Sequence, residues 1–244
     1  MTKIIGFHQP IFAFHCQYMS TKQSIPILLI NTSLSEASVG ISIDGILVDE
    51  LINNTQKEHA AFLHPAIERI CNRNNITLAD FNAVSVINGP GSYTGLRVGL
   101  AAAKGICYAV QLPLICINTL YWMAYGNKEN PAELIAPMID ARRMEVFTAV
   151  YNKNMESLVP PNNMVLEENS FGNLLETNSI LFVGDGSSKW EVICKDKNAR
   201  FTQPLQNNSS HGILAFEHYS KGLFADLFGA APFYTKDFYT TQHG

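Results

Sequence analysis

A pattern of apolar segments that occurs twice along the chain constrains the fold more than any other feature. The first copy opens with apolar or alternating segments and an Asp44–Gly45 turn signal, which predict a meander over 27–31, 38–43 and 46–52. Helices and strands then alternate, with helices predicted over 58–74 and 94–110 and from Thr119 to about Tyr125, and strands over 83–87 and 112–117. Such alternation predicts parallel strands joined by helical crossovers.

The second copy follows the polar segment GNKENP at 126–131, which is the best candidate for a linker. It repeats the meander over 134–140, 144–151 and 155–160. A strand, a glycine turn and a helix are predicted over 179–195. A polar loop follows, and then a helix from about His211 to Phe228. Asn31 and Asp140 occupy the same place, at the end of the first strand of each copy. The repeat predicts a duplicated α/β fold with a cleft between the copies.

Composition indicates a soluble globular protein. The 244 residues are 47% hydrophobic and 16% charged, and the net charge of -4 argues against a broadly basic nucleic-acid surface. The five cysteines are widely spaced and never form CxxC, so we expect reduced thiols and neither a disulfide framework nor a zinc site. The first strand-like segment begins only after Pro26, and residues 1–25 are therefore interpreted as a disordered extension or an over-long start. A weak export signal is the alternative.

The glycine-rich segment NGPGSYTG at 88–95 lies between a predicted strand and a predicted helix. It does not match the phosphate-binding patterns GxxxxGK[ST] and GxGxxG, because Thr94 stands where each needs a glycine. Two interpretations stay open at this point. The start of the helix could attract an anion through its amides, or the glycines and Pro90 could only permit a tight reversal of the chain.

The helix after this turn is apolar on nearly all sides. Arg97 and Lys104 lie opposite a small-and-apolar side made of Gly95, Gly99, Ala103, Ile106 and Val110. A helix of this kind is usually buried on more than one side. The sequence leaves open whether the second side packs inside the subunit or against a partner.

Isolated polar residues give weaker signals. His59 and His64 lie about 140° apart on a helix, so they do not form a metal-binding face. Asp140 stands at a strand end beside Arg142 and Arg143, where it could ligate Mg²⁺ or accept a proton. We favour an arginine-paired aspartate that orders a turn. The GDGSS segment at 184–188 could cradle an adenosine or a phosphate through its amides, but a helix cap by Ser187 is the more common case and is the one we predict.

The segments ILLINTSLSEASVGI, NGPGSYTGLRVGLAAAKGI, MIDARRMEVFTAVY and VGDGSSKW together resemble the TsaB family, also known as YeaZ. The resemblance runs from about Ile27 to Phe238. It implies a two-lobed α/β fold of the actin, sugar-kinase and Hsp70 class, built from duplicated RNase H-like lobes. We expect an N-terminal lobe over 26–126 and a smaller C-terminal lobe over 127–244.

The resemblance also implies a function. TsaB proteins assist bacterial tRNA threonylcarbamoyladenosine synthesis as non-catalytic partners of the related enzyme TsaD, together with the ATPase TsaE. A cytoplasmic protein is therefore expected, with tRNA met through the complex, no membrane partner, no catalytic residue and no metal or cofactor of its own. ATP or ADP with Mg²⁺ is expected only at the multi-subunit complex. The alternatives are an ATP-dependent enzyme of the actin and sugar-kinase class and a metalloprotease-like hydrolase.

Residues are carried over from the family by position. The helices matching 58–74 and 94–110 form its interface with TsaD, or with a second copy of TsaB when TsaD is absent. The expected interface residues are therefore Leu63, Ile67, Ile70, Gly95, Leu96, Gly99, Ala103 and Ile106. Residues expected near a nucleotide are Asn31, Thr32, Ser92, Thr94 and Asp140. Two departures favour loss of catalysis: Asn31 replaces the strand-end aspartate of kinases, and the metal-binding histidine spacing of TsaD is absent.

Overall fold

The structure is a computed structural model that describes residues 24–55, 58–202 and 208–235. The extension predicted for residues 1–25 lies outside the described residues except for its last two. Of these, Ile25 donates its amide to the Asp44 carboxylate at 3.1 Å and packs at the edge of the core. No helix in the described part of the chain is both long enough and apolar enough to cross a bilayer.

The first sheet has five strands in the order β3-β2-β1-β4-β5. Their bounds are β1 Pro26–Asn31, β2 Ala37–Ile43, β3 Ile46–Asn53, β4 Ala83–Ile87 and β5 Leu114–Ile117. The first three are antiparallel, whereas β4 and β5 run parallel to β1. Asp44 and Gly45 both have positive φ, at 51° and 85°, which is the backbone that a two-residue hairpin turn requires.

The second sheet has the same topology, with order β10-β9-β6-β7-β8. Its strands are β6 Leu134–Asp140, β7 Glu145–Asn152, β8 Ser157–Val165, β9 Ile180–Val183 and β10 Ala199–Thr202. Each strand occupies the place of its counterpart in the first sheet, and Asn31 and Asp140 are the last residues of the equivalent strands β1 and β6. This confirms the predicted duplication.

The helices cover the two sheets. They are α1 His59–Asn74, α2 Tyr93–Val110, α3 Thr119–Tyr125, α4 Gly172–Leu175, α5 Ser187–Glu191 and α6 Asn208–Ser220, with a 3₁₀ turn over Leu78–Asp80. Helix α1 begins at His59, one residue after the predicted start, and contains Pro65 in its interior. Helix α3 begins as predicted, because the Asn118 side chain accepts the amides of Leu120 and Tyr121.

Two predictions near the carboxyl end were wrong. The segment read as a polar loop contains β10, which pairs in parallel with β9. The last helix ends at Ser220 rather than at about Phe228, because Gly222 takes a left-handed conformation with φ 66°. The Leu223 amide then donates to the His218 carbonyl, and the Gly222 amide to that of Tyr219, which is a Schellman motif.

The hydrophobic core joins the two sheets. One cluster lies under α1 and α2, and one lies within the second half. A third contains residues from both sheets, among them Leu29 and Ile139, around the buried α3 residues Leu120 and Trp122. Helix α6 packs on the first sheet, where its buried His211 hydrogen-bonds Ser85 of β4 at 2.9 Å. The lobe boundary at residue 126 stays a prediction. It assigns α6 to the second lobe, although α6 contacts the first sheet.

Candidate functional site

A cleft of about 810 Å³ lies between the strand ends of the two sheets. The turn after β1 lines it through Ser33 and Ser35, and the turn after β6 lines it through Asp140 and Arg142. The start of α1, the glycine turn before α2 and Asp185 complete the walls. The duplicated topology thus brings the two equivalent turns to a single cleft, as the sequence predicted.

The glycine turn packs closely against the end of β1. The Ser92 amide donates to the Ser33 carbonyl at 2.7 Å, and the Ser92 hydroxyl accepts the Gly95 amide at 3.3 Å. A Cβ at Gly91 would overlap the Ser33 carbonyl oxygen, and a Cβ at Gly95 would overlap that of Thr32. These two glycines therefore permit a close approach between two segments of the same chain.

The end of β1 is buried behind the cleft. Asn31 is 1% exposed, and its Oδ1 accepts hydrogen bonds from the Ser33 amide at 3.0 Å and hydroxyl at 2.7 Å. The Thr32 hydroxyl donates to the Gly95 carbonyl at 2.7 Å. Of the five residues expected near a nucleotide, Ser92, Thr94 and Asp140 line the cleft, whereas Asn31 and Thr32 do not.

Asp140 is paired with a lysine. Its Oδ1 accepts hydrogen bonds from Lys189 Nζ and from the Arg142 amide, both at 2.5 Å. Burial alone would raise the pKa of Asp140, but these two hydrogen bonds outweigh it and hold that pKa below its usual value. An aspartate that orders a turn was expected, yet its side-chain partner is Lys189 and not an arginine. The reason is that Lys189 follows β9, which lies beside β6 in the sheet.

The segment at 184–188 closes on itself. The Ser187 hydroxyl donates to the Gly184 carbonyl at 2.7 Å, and Ser187 is only 2% exposed. The Asp185 carboxylate accepts the Asp140 amide at 2.9 Å. Ser187 is the first residue of α5 and Gly186 its N-cap, so the predicted serine cap was wrong.

The two histidines of α1 have different surroundings. His59 lines the cleft and is 3% exposed, with Nε2 3.2 Å from the Ser35 carbonyl, so this nitrogen carries the proton. Burial lowers the pKa of His59. His64 is exposed on another side of the helix. The described residues contain no group of three or more His, Cys, Asp or Glu side chains arranged to hold a metal ion.

Helices α1 and α2 carry the expected partner interface, but its residues are inside the subunit. All eight are buried: Leu63, Ile67, Ile70, Gly95, Leu96, Gly99, Ala103 and Ile106. A Cβ at Gly99 would overlap the Thr32 hydroxyl oxygen. The small-and-apolar side of α2 therefore packs on its own sheet. Helical periodicity shows that two sides of α2 are apolar without showing which one the sheet covers. Partner contact through α1 and α2 stays a prediction, and their outward residues are the ones that a partner can reach.

The opposite side of α2 is open. Thr94, Ala101, Gly105 and Tyr108 are exposed there, and a Cβ built on Gly105 would meet no atom within 4 Å. We call these four residues the outer face of α2. The neighbouring helix α1 also exposes small residues, Ala61 and Pro65.

The carboxyl-terminal segment lies along one flank of α2, which no sequence signal indicated. The Tyr234 ring lies 5.8 Å from that of Tyr93, and its hydroxyl accepts a hydrogen bond from Arg97 Nε at 3.2 Å. Lys104 Nζ donates to the carbonyls of Phe228 and Ala230. Two residues predicted only as the polar side of α2 thus bind the segment at 228–234.

Comparisons with known proteins agree with one another. Residues 47–207 match the family model of TsaD, tRNA N6-adenosine threonylcarbamoyltransferase. The chain is 28% identical over 216 residues to the tRNA threonylcarbamoyladenosine biosynthesis protein TsaB of Bacillus subtilis (strain 168), which covers 86% of this chain and 93% of that protein. It is 35% identical over 129 residues to TsaB of Escherichia coli (strain K12), which covers 52% of this chain and 55% of that one.

The fold has a counterpart among solved structures. That of YeaZ from Pseudomonas aeruginosa superposes with a TM-score of 0.72 at 22% identity, over 86% of this chain and 99% of that one. The α/β fold of two five-stranded sheets described above is therefore shared with that protein.

Proposed function

The chain belongs to the TsaB (YeaZ) family, within the wider family that the TsaD model describes, and we propose that it is a non-catalytic partner subunit. It binds and activates a TsaD-like enzyme that transfers threonylcarbamoyl to the adenosine next to the anticodon of tRNA. A TsaE-like ATPase joins the complex, and the chain pairs with a second copy of itself when the enzyme is absent. The chain associates with tRNA through the complex.

The observation that carries this proposal is the outer face of α2. Ala101 and Gly105 are exposed at a spacing of one helical turn, and neither has a side chain beyond a methyl group. Small residues at this spacing let a second helix approach closely, with interaxial distances near the lower end of about 8–10 Å. On the neighbouring helix α1, Ala61 and Pro65 are exposed as well. The proposed partner surface thus lies on α1 and α2, the two helices that the family resemblance implies, but it is formed by their outward residues.

The chemistry of the cleft disfavours the kinase-like alternative. At the end of β1 stands Asn31, an amide that is no base, and its oxygen is already bonded to Ser33. The carboxylate of Asp140, the equivalent position in the second half, is paired with Lys189. The Ser92 amide, which a phosphate would need, donates to the Ser33 carbonyl.

The hydrolase alternative has no better support. His59 Nε2 is engaged with the Ser35 carbonyl, and His64 points to a different side of α1. Two such histidines do not offer one face to a metal ion.

The residues of the cleft also do not fit a phosphate chain with Mg²⁺, for the same reasons. ATP or ADP with Mg²⁺ therefore remains a proposal about the multi-subunit complex, where a partner would supply the missing groups. Ser92, Thr94 and Asp140, which line the cleft, are the residues of this chain that such a site would reach.

Reconstitution tests the proposal. The purified chain is combined with a TsaD-like enzyme, a TsaE-like ATPase, threonylcarbamoyl-adenylate and unmodified tRNA, and threonylcarbamoyladenosine is quantified by mass spectrometry of the digested tRNA. We expect modification only when all three proteins are present and no ATP hydrolysis by the chain alone. Equal modification without the chain would refute the proposed role.

A further inference from the structure

The segment after α6 forms a strap across the first half of the molecule. We define the C-terminal strap as residues 222–235. The Ala225 amide donates to the Leu114 carbonyl at 2.8 Å, so the strap pairs with the free edge of β5. Further along, the Phe233 amide donates to the Asn88 carbonyl at 2.8 Å. Leu227 packs between these points against the core cluster under α1 and α2.

A tight turn at 226–230 is fixed by five hydrogen bonds. The Asp226 carboxylate accepts the amides of Phe228 at 3.2 Å and Gly229 at 3.1 Å, and the Asp226 carbonyl accepts the Ala230 amide at 2.8 Å. From the side of α2, Lys104 Nζ donates to the carbonyls of Phe228 at 3.0 Å and Ala230 at 2.9 Å. The backbone of this turn is therefore held in one conformation.

This turn presents an aromatic ring to solvent. Phe228 stands at its tip and is 78% exposed, although its neighbours Leu227 and Ala230 turn inward. Its only ring neighbour among the described residues is Tyr108, itself 62% exposed, in an edge contact with centroids 6.3 Å apart. Tyr108 belongs to the outer face of α2 and lies one helical turn beyond Gly105. The ring is thus continuous with the proposed partner surface.

We propose that Phe228 is an anchor for the same TsaD-like partner, whose docking on the outer face of α2 buries the ring in an apolar pocket of that partner. This inference rests on the proposed function and adds the strap to its binding surface. Aromatic side chains dominate the binding energy of many interfaces. A ring held by an already ordered turn loses little conformational freedom on binding, which favours such a role. The phenyl ring takes no part in the five hydrogen bonds that hold the turn, so its removal would leave all of them intact.

The test compares two exposed side chains of the full-length protein. Phe228→Ser removes the ring, and Val192→Ser changes an 85% exposed residue at the end of α5 in the other half of the molecule. Calorimetric titration with the TsaD-like enzyme should show an affinity loss of about tenfold or more for Phe228→Ser. The control Val192→Ser should bind within about twofold of the unchanged protein, and Phe228→Leu should retain most of the affinity. Thermal unfolding of all three variants should match that of the unchanged chain.

Each outcome decides between the proposals. If the unchanged chain binds the enzyme and Phe228→Ser binds equally well, the anchor is refuted while the proposed function stands. If Phe228→Ser weakens only self-association in analytical ultracentrifugation, the ring serves a second copy of the chain and the anchor is again refuted. If the unchanged chain does not bind the enzyme, the proposed function fails and the anchor fails with it.

Discussion

The Thr32 hydroxyl occupies the space that a side chain at Gly99 would need. The hydroxyl donates to the Gly95 carbonyl at 2.7 Å, and a Cβ built on Gly99 would overlap its oxygen. This contact brings α2 close to the end of β1. It also means that the two glycines that first suggested a partner surface serve the interior of the subunit.

Substitution of Gly99 should therefore affect folding before it affects binding. Gly99→Ala forces the Thr32 side chain to move, and we expect the free energy of unfolding to fall by about 1–3 kcal/mol. Gly105→Ala is the matched control, because the added methyl group meets open space in the same helix. Its better helix propensity should raise stability by up to about 1 kcal/mol. Urea unfolding followed by circular dichroism measures both, and equal stabilities would contradict the orientation of α2.

His211 should make the protein sensitive to acid. The residue is fully buried against Ser85, and burial lowers its pKa to about 3, from 6.5 in the unfolded chain. As the pH falls below 6.5 the unfolded state takes up a proton that the folded state refuses, so stability falls. Between pH 7 and pH 5 this costs about 2 kcal/mol. The His211→Gln variant should lose less stability over this range, and an identical loss in urea unfolding would exclude His211 as a cause.

Glu50 should make the stability of the fold decrease as the pH rises, which is the opposite of the effect of His211. Burial, helped by the nearby carboxylates of Glu36 and Asp49, raises the pKa of Glu50 to about 7 despite hydrogen bonds from Ser38 and Asn208. The folded state then holds a proton that the unfolded state releases above its ordinary pKa of 4.5, so Glu50 weakens the fold progressively as pH rises from about 4.5 through 7. Glu50→Gln should therefore stabilise the protein more at pH 8 than at pH 5. A pH-independent difference in melting temperature would count against this account.

Much of the fold follows from local patterns. The strands over 83–87 and 134–140 have the predicted bounds, because each is an apolar segment between clear turn signals. Strand β10 escaped prediction since it has only four residues, of which Phe201 is the only large apolar one. The end of α6 was misplaced because the apolar residues after Gly222 belong to the strap instead of continuing a helix. Ala225 and Leu227 of the strap pack against the core.

The site was harder to predict than the fold, for a physical reason. Helical periodicity gave two candidate sides of α2, and the choice between them depended on Thr32, which lies more than sixty residues earlier in the chain. The pairing of Asp140 with Lys189 is equally remote in sequence. Contacts of this kind arise from tertiary packing, which a single sequence does not show.

The central claim is that the outer face of α2 binds the TsaD-like enzyme, and Gly105→Arg tests it most directly. The arginine projects from an exposed helical position with open space around it and improves helix propensity, so the fold should be retained. Gly172→Arg is the control, since Gly172 is also helical and open but lies in the other half of the molecule. In calorimetric titration with the enzyme, Gly105→Arg should lower the affinity by about a hundredfold or more, because it puts bulk and charge into a close contact. Gly172→Arg should bind as the unchanged chain does. Unchanged affinity of a folded Gly105→Arg variant would contradict the account.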